Sequence, residues 1–177
     1  MKELDKVMAV QRMQNHIENN LNRNITLYEL SKCSNYSPWY SAKLFKEYIG
    51  KGPFEYIRLM RLTKSALELR DSDKRVVDVA LDFVFDSHEG FTRAFKKKFG
   101  ITPQKYKKDK PPIYLYTPYP IKEQYMLNTK IDKNNEDKVS ENYFVQIMNF
   151  PKRKFILKRG IRATNYFEYV NEVGCEI

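Results

Sequence analysis

The chain has 177 residues, with 32 Lys and Arg against 22 Asp and Glu, for a net charge of +10. That length suits one domain or two small ones, and a surplus concentrated in residues 1–110 (22 basic against 14 acidic) favours a polyanionic partner, nucleic acid first among them. No run approaches the roughly 20 apolar residues of a membrane span, the N-terminus has no signal segment, and Cys33 and Cys175 match no metal or redox spacing. A cytoplasmic protein without metal, cofactor or membrane partner is expected.

Residues 4–21 carry Leu4, Val7, Met8, Val10, Met13, Ile17 and Leu21 at mostly helical spacing and predict one amphipathic helix. Thr26 is placed to cap a short helix over 27–34, with Glu29 three residues on to complete a capping box. Asn35 suits the left-handed conformation of a tight turn. Ser37 then caps a helix that starts at Pro38 and stops at Gly50. A short helix, a tight turn and a second helix make a helix-turn-helix unit.

Gly52-Pro53 opens a long helix predicted over 54–70, broken by Asp71–Lys74. Val76–Phe83 is short and apolar. Ser87–Gly100 then repeats Ser37–Gly50 at a fixed offset of fifty: Phe45 and Lys46 answer to Phe95 and Lys96, Gly50 to Gly100, Pro53 to Pro103, Tyr56 to Tyr106. Before these helices the offset is forty-nine, so the second turn has one extra residue. Thr102-Pro103 starts a last short helix, which makes seven helices over 4–108. The predicted connector is about 25 Å long at 1.5 Å per residue. With the bodies of the two units, it would set their second helices roughly one DNA turn, about 34 Å, apart.

Pro111, Pro112, Pro118 and Pro120, with Tyr114, Tyr116, Tyr119 and Tyr125, predict an extended, aromatic linker, parts of which pack on a neighbouring surface. Residues 122–142 have loop composition. Residues 144–150 and 155–159 read as strands, and Thr164 as the cap of a further helix. The expected fold class is therefore mainly α, with two helix-turn-helix units (about 26–49 and 76–99) joined by a long helix. A linker over 109–142 and a small, incomplete α+β segment over 143–177 complete it. That segment reads as the start of a domain.

The run from Ile25 to Tyr56, followed by Val76 to Tyr106, resembles the AraC/XylS family of transcription regulators. Leu30-Ser31, Tyr36-Ser37-Pro38-Trp39, Leu44-Phe45-Lys46, Gly50, Pro53–Ile57, Arg61 and Ala66 carry the likeness in the first unit and connector. Val79-Ala80, Phe85-Asp86-Ser87, Phe91–Lys96, Phe99-Gly100 and Thr102-Pro103 carry it in the second. Val145–Gly160 and Tyr166–Cys175 resemble the opening of a GyrI-like effector-binding domain. The resemblance implies an activator or repressor that binds double-stranded DNA and senses a small molecule, often amphipathic or cationic. RNA polymerase is the further partner it implies. The expected form on DNA is a monomer, with a dimer through the tail as the alternative.

The same resemblance gives the site. Trp39, Tyr40, Ala42 and Lys43 match groove-facing positions of the first reading helix, and His88, Glu89, Thr92 and Arg93 those of the second. Lys43 and Arg93 suit guanine O6 and N7, Trp39 a thymine methyl, and Glu89 a cytosine amino group. Lys46, Lys96 and Lys97 suit phosphates, as does Ser37 with the helix N-terminus behind it. The plainer readings are core packing for Trp39 and a surface charge for Arg93, while Phe45 and Phe95 read as core. Val84 stands where the family has glycine. A β-branched residue fits a left-handed turn poorly, so the second turn is expected to be built differently or its helix to sit at an altered angle. Two other function classes compete. A ligand sensor with secondary DNA binding is motivated by the aromatic linker and tail. An enzyme has little behind it: the two histidines, His16 and His88, form no catalytic constellation. A DNA-repair methyltransferase with this helical domain would need an activated cysteine, which neither Cys33, expected to be a buried apolar residue, nor Cys175 resembles.

Overall fold

Capping and apolar periodicity decide the first seven helices. The computed structural model describes residues 3–134, with side chains through residue 129. The helices are α1 (Glu3–Asn19), α2 (Leu27–Ser34), α3 (Pro38–Ile49), α4 (Pro53–Asp71), α5 (Val76–Asp82), α6 (His88–Phe99), α7 (Pro103–Asp109) and α8 (Ile121–Asn134). All secondary structure among the described residues is helical. The strands expected over 144–150 and 155–159, and the helix after Thr164, lie outside them.

Each cap works as its residue type predicts. Thr26, Ser37, Ser87 and Thr102 accept the backbone N–H three residues on, at 3.2, 3.3, 3.0 and 3.4 Å. Gly50 and Gly100 close α3 and α6 at φ 76° and 75°, a region nearly free of steric cost only for glycine. The capping box at α2 is half made, because the Glu29 carboxylate turns to His16 (3.3 Å) and Arg23 (3.0 Å).

Two cores form. Val7, Val10, Met13 and Ile17 of α1 bury against Leu30 of α2, Leu44 and Phe45 of α3, and Tyr56, Ile57 and Met60 of α4. Leu62, Ala66 and Leu69, further along α4, bury against Val76, Val79 and Ala80 of α5, Phe91, Ala94 and Phe95 of α6, and Tyr106 of α7. One helix of 19 residues, about 28 Å long, thus belongs to both. Its seam is marked by Arg61, whose guanidinium donates to the carbonyls of Leu21 (3.0 Å) and Arg23 (2.6 Å).

The second turn only partly repeats the first. Val84 does take the left-handed conformation, at φ 58°, as Asn35 does at 63°. The Phe85 N–H donates to the Ala80 carbonyl at 3.0 Å, as the Tyr36 N–H does to the Ser31 carbonyl at 3.3 Å, but the Val84 N–H donates to the Leu81 carbonyl whereas the Asn35 N–H donates to that of Ser31. The second turn is thus built differently, as expected, with five residues between α5 and α6 against three between α2 and α3, while those hydrogen bonds and the packing of Phe85 on Phe91 (4.8 Å) hold an unsuited residue in the left-handed conformation. Residues 121–134 differ from the loop expected there, because they form α8, which packs along α1.

Candidate nucleic-acid interface

The two units present matching helices. On α3, Ser41, Leu44 and Phe45 are buried while Lys43, Lys46 and Glu47 are exposed; on α6, Phe91, Ala94 and Phe95 are buried while Arg93, Lys96 and Lys97 are exposed. Each helix therefore buries one face and keeps the opposite, more basic face in water. The helices are fixed by different chemistry. The Ser41 hydroxyl donates to the Ser37 carbonyl at 2.8 Å and lies 2.7 Å from the Ser34 hydroxyl, which latches α3 to α2 through a buried polar pair. Phe91 takes the corresponding place in α6 and stacks within an aromatic run of Phe85, Phe91, Phe95 and Phe99, with centroids 4.6–5.5 Å apart.

The residues singled out from sequence fall as follows. Trp39 is 71% exposed, so the core-packing alternative does not hold for it. The Lys43 ammonium lies 5.6 Å from the Trp39 ring centroid, a cation–π contact that holds the two side chains together on the outer face of α3. Tyr40 is half-buried and packs edge-on against Tyr36 at 5.1 Å, and Ala42 beside it is half-buried. Ser37 is exposed at the N-terminus of α3. On α6, Glu89 and Arg93 are exposed. Thr92 departs from its expected role, because its hydroxyl is buried and has no hydrogen-bond partner among the described residues. Presenting it to a groove requires a χ1 rotation, which threonine in a helix tolerates between two rotamers. His88 is exposed but lines a hollow with Arg75, Val76, Val77, Gln104 and Lys107, apart from the surface that Arg93 shares with Ser87 and Gly90. Lys96, Lys97 and Lys98 crowd the last turn of α6, where the helix dipole favours cations.

Sequence reasoning missed a cleft between the units. It has a volume of about 570 Å3, and its charged lining is Arg58, Arg61 and Arg93, opposed by Asp86. Phe54, 54% exposed, stands at its apolar side. Arg58 belongs to the outer face of α4 by periodicity, and nothing in the linear pattern joins it to Arg93, 35 positions on. The cleft exists only because α4 sets the second unit beside the first.

Cys33 is half-buried against the first core rather than fully buried as expected. Burial, with Glu29 nearby, pushes its thiol above the ordinary range, opposite to the shift that activates a nucleophilic cysteine. Cys175 lies outside the described residues. No helix among the described residues is long and apolar enough to cross a membrane.

Comparison with known proteins agrees with this geometry. The helix-turn-helix domain family matches residues 30–109. The TetD protein of transposon Tn10 from Escherichia coli is 42% identical over 94 residues, which cover 53% of this chain and 68% of that protein. The right origin-binding protein of Escherichia coli strain K12 is 39% identical over 92 residues, 52% of this chain but 32% of that longer protein, so this chain matches about a third of its length. Among solved structures, a probable AraC family transcriptional regulator from Rhodopseudomonas palustris superposes with a TM-score of 0.54 at 26% identity, over 59% of this chain and 98% of that one. A relative 42% identical and covered over 68% of its length, together with the family match, shows the family: the chain belongs to the AraC family of sequence-specific, DNA-binding helix-turn-helix transcription regulators.

Proposed function

We propose that α3 and α6 are the reading helices and enter successive major grooves on one side of a duplex. The observation that carries this is the matched exposure of the two helices, with Lys43 and Arg93 at equivalent outward positions fifty residues apart. Trp39 and Lys43 read bases in the first groove, and Glu89 and Arg93 in the second. Ser37, Lys46, Lys96 and Lys97 neutralise phosphates. Arg58 faces the backbone that runs between the grooves, from the cleft it shares with Arg93. Because the two faces differ in composition, the preferred site is asymmetric and one chain fills it.

The test is selection of bound duplexes from a random pool, followed by titration of Lys43→Ala and Arg93→Ala across a range of salt. Each variant should lose about 1–3 kcal/mol on the selected site and relax base preference at its own half. Arg58→Ala should weaken selected and random duplexes alike and lower the salt slope by about 1. If Lys43→Ala and Arg93→Ala bind both duplexes like the parent, the assignment of reading helices fails.

Regulation belongs to the same proposal. Contact with RNA polymerase predicts altered run-off transcription from a promoter carrying the selected site. Control by a small molecule, through a GyrI-like segment over 143–177, predicts calorimetric binding of a lipophilic cation by the intact chain. The setting of that activity is the cytoplasm.

A further inference from the structure

The family match ends at residue 109, yet the next twenty residues are tied to both units. Ile113 and Leu115 pack against the second core, and Tyr116, Ile121 and Tyr125 belong to the first. At the seam of α4 the Tyr116 N–H donates to the Thr63 hydroxyl at 3.0 Å. Tyr116 then stacks edge-on against Tyr56 at 5.7 Å. The far end is pinned by Gln14, a polar residue 1% exposed inside the apolar stripe of α1. Its amide donates to the Tyr119 carbonyl (3.0 Å) and the Tyr56 hydroxyl (3.3 Å), and its oxygen accepts the Ile121 N–H at 3.0 Å. The Gln11 side chain accepts the Lys122 N–H, also at 3.0 Å. Two N–H groups that open α8, and lack partners within it, are thus satisfied by side chains of α1.

We propose that residues 113–125 are a splint that fixes the separation of the two reading helices. Two bodies joined by one helix can still move against each other, because a helix of some 28 Å bends. A second connection that crosses the same seam and is fastened to both bodies closes a loop and removes that freedom. The dimensions agree: the eight residue steps from Ile113 to Ile121 reach about 25 Å at the polyproline rise of about 3.1 Å per residue. The composition agrees as well, because Pro118 and Pro120 fix φ and leave little conformational entropy to be lost on docking. Gln14 and Thr63 are positioning residues in this arrangement, neither on the outward face of α3 or α6. The inference rests on α3 and α6 being the paired reading helices.

The test uses the full chain and two near-isosteric substitutions, Gln14→Met and Thr63→Val, singly and together. Without DNA, nitroxide labels at Glu47→Cys and Lys98→Cys, in a background with Cys33→Ala and Cys175→Ala, report the distance between α3 and α6. The parent should give one narrow distribution, and the double variant one at least about twice as wide at unchanged helix content. With DNA, one base pair inserted between the two half-contacts rotates one groove by roughly a tenth of a turn relative to the other. It should cost the parent about tenfold in affinity and the double variant under threefold. Unchanged width together with an unchanged insertion penalty overturns the splint. If Gln14→Met unfolds the chain, Thr63→Val alone decides, since it leaves both cores intact. If the parent selects no duplex, the reading-helix assignment fails while the distance measurement still judges the splint.

Discussion

Replacing Val84 by Asn is predicted to stabilise the protein, although it exchanges an apolar side chain for a polar one. Val84 is held at φ 58°, where its Cβ crowds the following carbonyl, at a cost of about 1–2 kcal/mol that Asn largely avoids. Against this, the half-buried Val side chain forfeits some contact, less than the roughly 1.5 kcal/mol of a fully buried one. The net gain is about 0.5–1 kcal/mol, or some 1–4 °C in Tm for a chain of this size. The first unit supplies the control: Asn35 holds the corresponding left-handed position at φ 63°, and Asn35→Val should cost about 1–2 kcal/mol. Chemical denaturation and calorimetry of both variants check the pair. If Val84→Asn fails to raise the midpoint while Asn35→Val lowers it, strain at the second turn is not what distinguishes them, and the reasoning from φ fails.

Buried and outward aromatics should separate cleanly. Phe95, fully buried among Phe91, Phe99 and Tyr106, should cost about 3–5 kcal/mol on truncation to Ala in urea unfolding. Trp39→Ala should change stability by no more than about 0.5 kcal/mol while weakening binding to the selected duplex. A third prediction concerns acid. The hydrogen bond from His16, followed by Arg23, holds the Glu29 carboxyl below its ordinary value. The stability it contributes is therefore complete above that ordinary value and is lost as pH falls through the lower, folded one. Glu29→Gln should be less stable than the parent near about pH 6, and the gap should narrow as pH falls below the ordinary carboxyl value of about 4.3, by thermal melts across that range.

Helices α2, α3 and α6 could be placed to within a residue because their boundaries are written in local chemistry: a hydroxyl three residues ahead of an N–H, and a residue tolerant of positive φ at the far end. Helix α8 carries no such mark. It begins after a proline with no side-chain cap of its own, and its opening N–H groups are satisfied by Gln11 and Gln14, more than a hundred residues away. The trace of this in the sequence is Gln14 itself, an amide inside the stripe of Val10, Met13 and Ile17, which only a partner from elsewhere in the chain could satisfy. The outward faces of α3 and α6 were legible from the family resemblance. The hidden hydroxyl of Thr92 and the cleft around Arg58 were not, because rotamer choice and the meeting of two units leave no linear pattern.

The two copies have diverged in a way that bears on how a duplex would be read. The first helix offers an aromatic and a single lysine stacked on it, Trp39 under Lys43, and a small Ala42, with a polar latch behind them. The second ends in three consecutive lysines and is set by a stack of phenylalanines. Apolar contact and a positioned donor discriminate bases, whereas clustered ammonium groups bind phosphates whatever the sequence. On the proposed geometry the first unit therefore contributes most of the sequence preference and the second most of the salt-dependent affinity. A clamp of the second kind is useful to a reader of the first kind only if the distance between them is fixed, since a loosely tethered clamp would hold the duplex in several registers. That requirement falls on α4 and on the segment that crosses its seam at Thr63.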